Sequence, residues 1–133
     1  MKKLSLAALA FAAPLIAFGA FAEDTSEGEL HAWLTEEQAE AGQRGFAVGC
    51  GGCHGADMVD VFAGYDTAET YYLFISGSMP ADNPGSLAPQ QYVDIIAYLM
   101  HEVGFPAGEE TLTPDRAILA EIVPGDAVGD DED

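Results

Sequence analysis

The sequence predicts a single small all-α domain. The chain has 133 residues, which suits one domain of ordinary size, and 49% of them are hydrophobic, which is enough for a packed core. The longest patterned segment repeats its apolar residues at helical spacing, and no segment shows the strict alternation of a half-buried strand. We therefore expect three to four helices around one core.

Capping residues place the first two predicted helices. Thr35 suits an N-cap, and Gln38 stands three residues later as in a capping box, so a helix is predicted over residues 36–48, before a run of glycines. Residues 57–66 show no clear period and are predicted to form a loop. A short second helix is expected over residues 68–75.

The strongest helical pattern covers residues 89–103. Pro89 suits the first helical position, and Gly104 suits the residue after the last turn. The apolar residues between them fall at i, i+3, i+4, i+7 and i+11: Tyr92, Ile95, Ile96, Leu99 and Val103. Residues 113–122 begin with Thr-Pro-Asp and predict one more short helix.

The first 22 residues predict export. Lys2 and Lys3 precede a mostly apolar stretch, and Ala20-Phe21-Ala22 fits the small-x-small pattern of a signal-peptide cleavage site. An uncleaved membrane anchor is the alternative, because the apolar stretch is borderline long enough to cross a bilayer. We expect a signal peptide over 1–22, one domain over 23–124 and an acidic disordered tail over 125–133, with the mature protein free in the periplasm.

Charge excludes several classes of function. The chain has four basic residues against 23 acidic ones; loss of Lys2 and Lys3 with the signal leaves only Arg44 and Arg116, for a net charge of −21. Nucleic-acid binding and a polybasic membrane-surface helix are therefore excluded, because both need clustered Lys and Arg. No Ser-His-Asp set or pair of catalytic carboxylates can be argued from the sequence, so we do not expect an enzyme.

The segment Cys50-Gly51-Gly52-Cys53-His54 matches the C-x-x-C-H pattern of covalent c-type haem attachment. Two cysteines at this spacing can reach both vinyl groups on one porphyrin edge, and His54 is then held beneath the iron as an axial ligand. A redox-active dithiol, a disulfide, and a zinc site completed by His31 or His101 are the alternatives. Together with the export signal, the pattern predicts one haem c on Cys50 and Cys53.

Met79 is the expected second axial ligand. It lies 25 residues after His54, in a segment that Pro80 and Pro84 prevent from being helical, so the segment can lie across the second haem face. Methionine sulfur raises the reduction potential and suits electron transfer. The alternatives are an open sixth position and three other side chains: Met58, close in sequence to His54; Met100, in an apolar helical stripe; and His101, near a helix end.

Three motifs occur in a familiar order. Gly42-x-x-x-Phe46-x-x-x-Cys50 leads into the haem motif, and Ser76-Gly77-Ser78-Met79-Pro80 precedes the helix that carries Tyr98-Leu99. In the order and spacing of these motifs, residues 35–103 resemble class I (monohaem) cytochrome c. The resemblance implies a small cytochrome c fold, with three to four helices around one covalently bound haem, in which Gly42 and Phe46 pack against Tyr98.

Residues 79–108 are similar, more narrowly, to the C-terminal part of cytochromes that serve quinoprotein (PQQ-dependent) alcohol dehydrogenases. This implies a periplasmic one-electron carrier with a dehydrogenase as donor and a downstream cytochrome or terminal oxidase as acceptor. The chain departs from the family in having no proline between His54 and Met79 and no lysine ring. Another carbonyl must then orient His54. The alternative function is a haem enzyme or small-molecule sensor with an open sixth iron position.

Overall fold

The computed structural model describes residues 29–129, and helices are the only regular secondary structure in that range. In addition to the helices, an isolated parallel β-bridge joins Leu34 to Ala107. The helices are α1 (Glu36–Gly49), α2 (Met58–Ala63), α3 (Ala68–Ser78), α4 (Pro89–Val103) and α5 (Arg116–Leu119), followed by a 3₁₀ turn (Pro124–Ala127). The all-α prediction is confirmed for this range. The predicted signal peptide over 1–22 lies outside it. None of the helices described is long and apolar enough to cross a membrane.

Helices α1 and α4 make the most extensive helix–helix contact of the described residues. They approach most closely at Gly42, which is buried against α4. The aromatic rings of Phe46 and Tyr98 pack across the same crossing, with centroids 5.7 Å apart. The contact implied by the cytochrome resemblance is therefore present in the structure.

Helix α4 is the centre of the core. Pro89 stands at its start, and Gly104 ends it in the left-handed conformation with a φ of +119°. Helices α1, α2 and α3 all pack on it. Four of the five residues of the predicted stripe are buried (Tyr92, Ile95, Ile96 and Leu99), and Val103 is half-buried. Three neighbours widen the buried face: Val93, Ala97 and Met100.

Three helix predictions were wrong in detail. The helix expected over 68–75 continues to Ser78. The expected loop over 57–66 contains α2, a helix of six residues that is too short to show a period and is anchored by the fully buried Phe62. The last predicted helix starts later than expected, because Asp115 is its N-cap and accepts a hydrogen bond from the backbone N–H of Ala117. It also ends earlier, so only Arg116–Leu119 is helical.

Gln38 does not complete a capping box. Thr35 caps α1 as expected by accepting the Gln38 backbone N–H, at 3.1 Å. The Gln38 side chain is instead buried between α1 and the chain after α4. Its amide oxygen accepts the Leu112 N–H at 2.8 Å, and its amide nitrogen donates to the Leu112 carbonyl at 2.7 Å and to Asp94 at 2.9 Å. The tertiary partners outcompete the local one.

The chain after α4 wraps around the core. The Gly108 N–H donates to the Leu34 carbonyl at 2.7 Å, and the Ala68 N–H donates to the Ile122 carbonyl at 2.9 Å. The acidic tail was predicted to begin at residue 125, which is too early. The 3₁₀ turn continues to Ala127, and Ala127 packs against the core. Residues 130–133 lie outside the described range.

Candidate functional site

The four predicted ligand and attachment residues line one cavity. Its volume is about 730 Å³, and its walls come from the end of α1, the segment after it, α2, α3, the segment after α3 and the start of α4. Cys50, Cys53, His54 and Met79 all contribute to these walls. The volume lies within the roughly 300–1,000 Å³ typical of ligand and cofactor sites. The fold thus brings together residues that the sequence keeps 25 positions apart.

Most of the remaining wall is apolar. Val48, Val61 and Phe74 line the cavity although they are 90%, 44% and 49% exposed. Exposed apolar side chains gathered in one concave site are typical of a surface that a ligand or partner covers. Further apolar side chains in the wall include Phe46, Met58, Ile75, Leu87 and Ile95.

The cysteine-histidine motif is folded into a tight turn at the end of α1. The Cys50 N–H continues the helical pattern by donating to the Phe46 carbonyl at 2.8 Å. The Cys50 carbonyl then accepts two N–H groups, that of Cys53 at 3.0 Å and that of His54 at 2.9 Å. These bonds fix the backbone positions of both thiols and the imidazole relative to one another.

The two thiols differ in their surroundings. Cys50 is half-buried, whereas Cys53 is exposed, and no disulfide joins them. Burial raises the pKa of the Cys50 thiol above its usual value, because the thiolate would lose its solvation. A redox-active dithiol usually has a lowered pKa on one cysteine, so this raised value does not favour the alternative of a reactive dithiol.

Met79 is held at both ends of its backbone. Its N–H donates to the Ile75 carbonyl at 2.9 Å, which ends α3. Its carbonyl accepts the Tyr92 hydroxyl at 2.7 Å and the Gly85 N–H at 3.2 Å. The segment that follows is non-helical, as predicted, and turns at Gly85 with a φ of +73°.

The structure shows which of the alternative axial ligands lie at the cavity. Met58 begins α2 and lines the cavity, a position that could not be foreseen because α2 itself was not predicted. Met100 is fully buried in the core, and His101 lies 3.3 Å from Glu36 on α1; neither of them lines the cavity. Two methionines, Met58 and Met79, therefore remain within the site.

Tyr71 adds a buried phenol to the wall. It is 2% exposed, and its ring packs edge-on against Phe62 and Tyr65. Burial, followed by the proximity of Cys50 and Tyr65, raises its pKa far above the usual value, so the hydroxyl stays neutral and can donate a hydrogen bond. Tyr71 therefore belongs both to the core and to the wall of the cavity.

The zinc alternative finds no geometric support. Within residues 29–129, no group of three or more His, Cys, Asp or Glu side chains is placed to hold a metal ion. His31 packs against Trp33, with ring centroids 4.3 Å apart, and His101 faces Glu36. The histidines proposed to complete such a site are engaged elsewhere.

The charged residues at the cavity are acidic. Asp57 and Asp82 line it and are exposed. Arg44 lies 3.9 Å from Glu40 on the exposed face of α1 and does not line the cavity. The cavity therefore opens on a surface of negative potential.

Comparisons of the chain with protein-family models, with curated proteins and with solved structures give no match.

Proposed function

We propose that this protein is a periplasmic monohaem c-type cytochrome that carries single electrons. The proposal places one haem c on Cys50 and Cys53, with His54 and Met79 as the axial ligands of the iron. The observation that carries it is the common cavity: two thiols, one imidazole and one thioether, recognised as a set in the sequence, line the same apolar site.

The chemistry of these donors fits haem c. Thiols form thioether links to the vinyl groups, and imidazole and thioether are the axial pair of electron-transfer cytochromes. Bound haem supplies an iron that takes up and releases one electron. The protein's own residues attach the group, set its axial ligands and surround it with apolar side chains that exclude water.

The cellular role follows from the sequence features. Export through the signal over 1–22 would place the protein in the periplasm. The similarity of residues 79–108 to cytochromes of quinoprotein alcohol dehydrogenases supports a dehydrogenase as donor and a downstream cytochrome or terminal oxidase as acceptor. On this account the protein is an electron carrier and not an enzyme.

Visible spectroscopy tests the axial ligands. The protein is expressed with a haem-attachment system, and spectra are recorded oxidised, reduced, and reduced under carbon monoxide. We expect a low-spin spectrum in both states and little carbon monoxide binding at neutral pH, because Met79 fills the sixth position. Full carbon monoxide binding by the wild type would reject the carrier function in favour of a haem enzyme or gas sensor with an open position.

A further inference from the structure

We propose that Tyr92 is the positioning residue that keeps Met79 at the iron. The inference rests on the proposed function and adds to it a residue outside the haem motifs. Its basis is the hydrogen bond from the Tyr92 hydroxyl to the Met79 carbonyl, 2.7 Å long. This bond joins α4 directly to the residue proposed as the axial ligand.

Tyr92 is itself rigidly placed. It is 3% exposed and lies in the first two turns of α4. That helix start is fixed by Pro89 and by the Gln91 side chain, which accepts the Ala88 N–H at 2.8 Å. The ring of Tyr72 packs edge-on against Tyr92, with centroids 6.5 Å apart. The phenol therefore has little freedom to follow Met79 if Met79 moves.

The bond ties an exposed loop to α4. Residues 81–86 are all exposed, and the segment contains no helix. Backbone bonds hold the turn to itself: the Asn83 N–H donates to the Pro80 carbonyl at 2.9 Å, the Ser86 N–H to the Asn83 carbonyl at 3.3 Å and the Gly85 N–H to the Met79 carbonyl at 3.2 Å. The Tyr92 oxygen also accepts the Leu87 N–H, at 3.4 Å, at the far end of the segment. Tyr92 thus contacts both ends of the segment.

Helix α4 also carries the contact that positions the cysteines. Gly42 of α1 packs directly against Asp94 and Tyr98, and α1 runs on into Cys50. Tyr92 lies on the same helix, half a turn before Asp94. One helix therefore sets the location of the haem attachment turn and, through a single phenol, of the methionine segment.

Loss of the Tyr92 hydroxyl should loosen the hold on Met79 while the rest of the cavity wall stays in place. In Tyr92→Phe the ring still fills its place, and the variant removes the hydroxyl that donates to the Met79 carbonyl and accepts the longer bond from the Leu87 N–H. An added ligand such as imidazole must displace Met79 to bind ferric iron, so its apparent affinity reports how firmly Met79 is held. We expect that affinity to rise about 3- to 10-fold, the equivalent of one net hydrogen bond.

The experiment compares three haem-loaded proteins: wild type, Tyr92→Phe and Tyr98→Phe. Tyr98 lies on the same helix and does not line the cavity, so the control removes a matched hydroxyl. Imidazole is titrated into each oxidised protein, and the sulfur-to-iron charge-transfer band and urea unfolding are followed in parallel. The account requires tighter imidazole binding and a weaker charge-transfer band in Tyr92→Phe alone.

The outcomes separate the inference from the function. A wild type without covalent haem or without the charge-transfer band would overturn the proposed function, and this inference with it. A wild type that shows both, beside a Tyr92→Phe variant that binds imidazole as the wild type does, would overturn the inference only. Equal increases in Tyr92→Phe and Tyr98→Phe would also overturn it, because they would indicate a general loosening of α4.

Discussion

Gly42 lies against the backbone of Asp94 so closely that no side chain fits between them. A Cβ atom at position 42 would lie 1.7 Å from the Asp94 carbonyl oxygen and 2.9 Å from the Cβ of Tyr98. Helix α1 leads into Cys50, and α4 holds the backbone of Met79 through Tyr92. The crossing at Gly42 therefore fixes both sides of the cavity relative to each other.

Gly42→Ala should destabilise the protein strongly. The methyl group would force α1 and α4 apart. Overpacking costs about 1–3 kcal/mol and occasionally more, and we expect the upper end here because the obstacle is backbone. Gly45→Ala is the matched control on the same helix, since its Cβ would meet only Ile95 at 3.5 Å, an ordinary contact. Urea unfolding should show a loss in Gly42→Ala and a gain of about 0.5–1 kcal/mol in Gly45→Ala. Equal effects would contradict the close crossing.

Gln38→Ala should also lower the free energy of unfolding, by about 2–3 kcal/mol, because it leaves the buried N–H and carbonyl of Leu112 with fewer partners. Gln43→Ala is the control, since Gln43 is exposed on the same helix and should change stability by less than about 0.5 kcal/mol. Chemical denaturation of both variants checks this. A Gln38→Ala variant as stable as Gln43→Ala would show that water replaces the amide at no cost.

Met79→Ala should open the sixth iron position and lower the reduction potential, because a sulfur ligand favours ferrous iron. Met58→Ala is the matched control: Met58 is half-buried in the same cavity and is not the proposed ligand. Carbon monoxide titration and potentiometry of the two variants distinguish them. If Met58→Ala opens the iron and Met79→Ala does not, the ligand assignment is reversed.

Negative charge should control the approach of redox partners. With Asp57 and Asp82 at the cavity, oxidation of the reduced protein by the cation tris(phenanthroline)cobalt(III) should slow about 10-fold or more as salt is raised, whereas oxidation by ferricyanide should speed up. Stopped-flow absorbance over a salt series measures both rates.

Substituting a carboxylate at the cavity tests whether the salt dependence of the rate arises there. Asp82→Asn should weaken the salt dependence for the cation more than Glu109→Gln, because Glu109 is exposed but does not line the cavity. Rates that do not change with salt would reject electrostatic steering and favour docking through the apolar side chains around the site.

Local signals were sufficient for much of this structure. Thr35 predicts the start of α1, and the apolar stripe with Pro89 and Gly104 predicts α4, because capping and helical periodicity act over a few neighbouring residues. The C-x-x-C-H motif and Met79 stand out as short sequence patterns, and the structure places them in one cavity.

What the sequence does not predict depends on distant partners. Gln38 stands at the position where a capping box would place it, three residues after Thr35. Its side-chain amide bonds instead to Leu112, 74 residues away. Helix α2 is too short for a period and is stabilised by burial of Phe62, so the position of Met58 in the cavity was missed with it. The bond from Tyr92 to Met79 likewise depends on how α4 meets the segment after α3.

Intact-mass analysis tests the central claim, covalent haem on Cys50 and Cys53, most directly. The protein is produced in cells that mature another c-type cytochrome and is extracted with acid and acetone, which removes haem that is not covalently bound. Cys50→Ala/Cys53→Ala is the control. The account predicts the mass of the mature chain plus one haem for the wild type, and the mass of the bare chain for the double variant. A bare polypeptide mass for the wild type would contradict it.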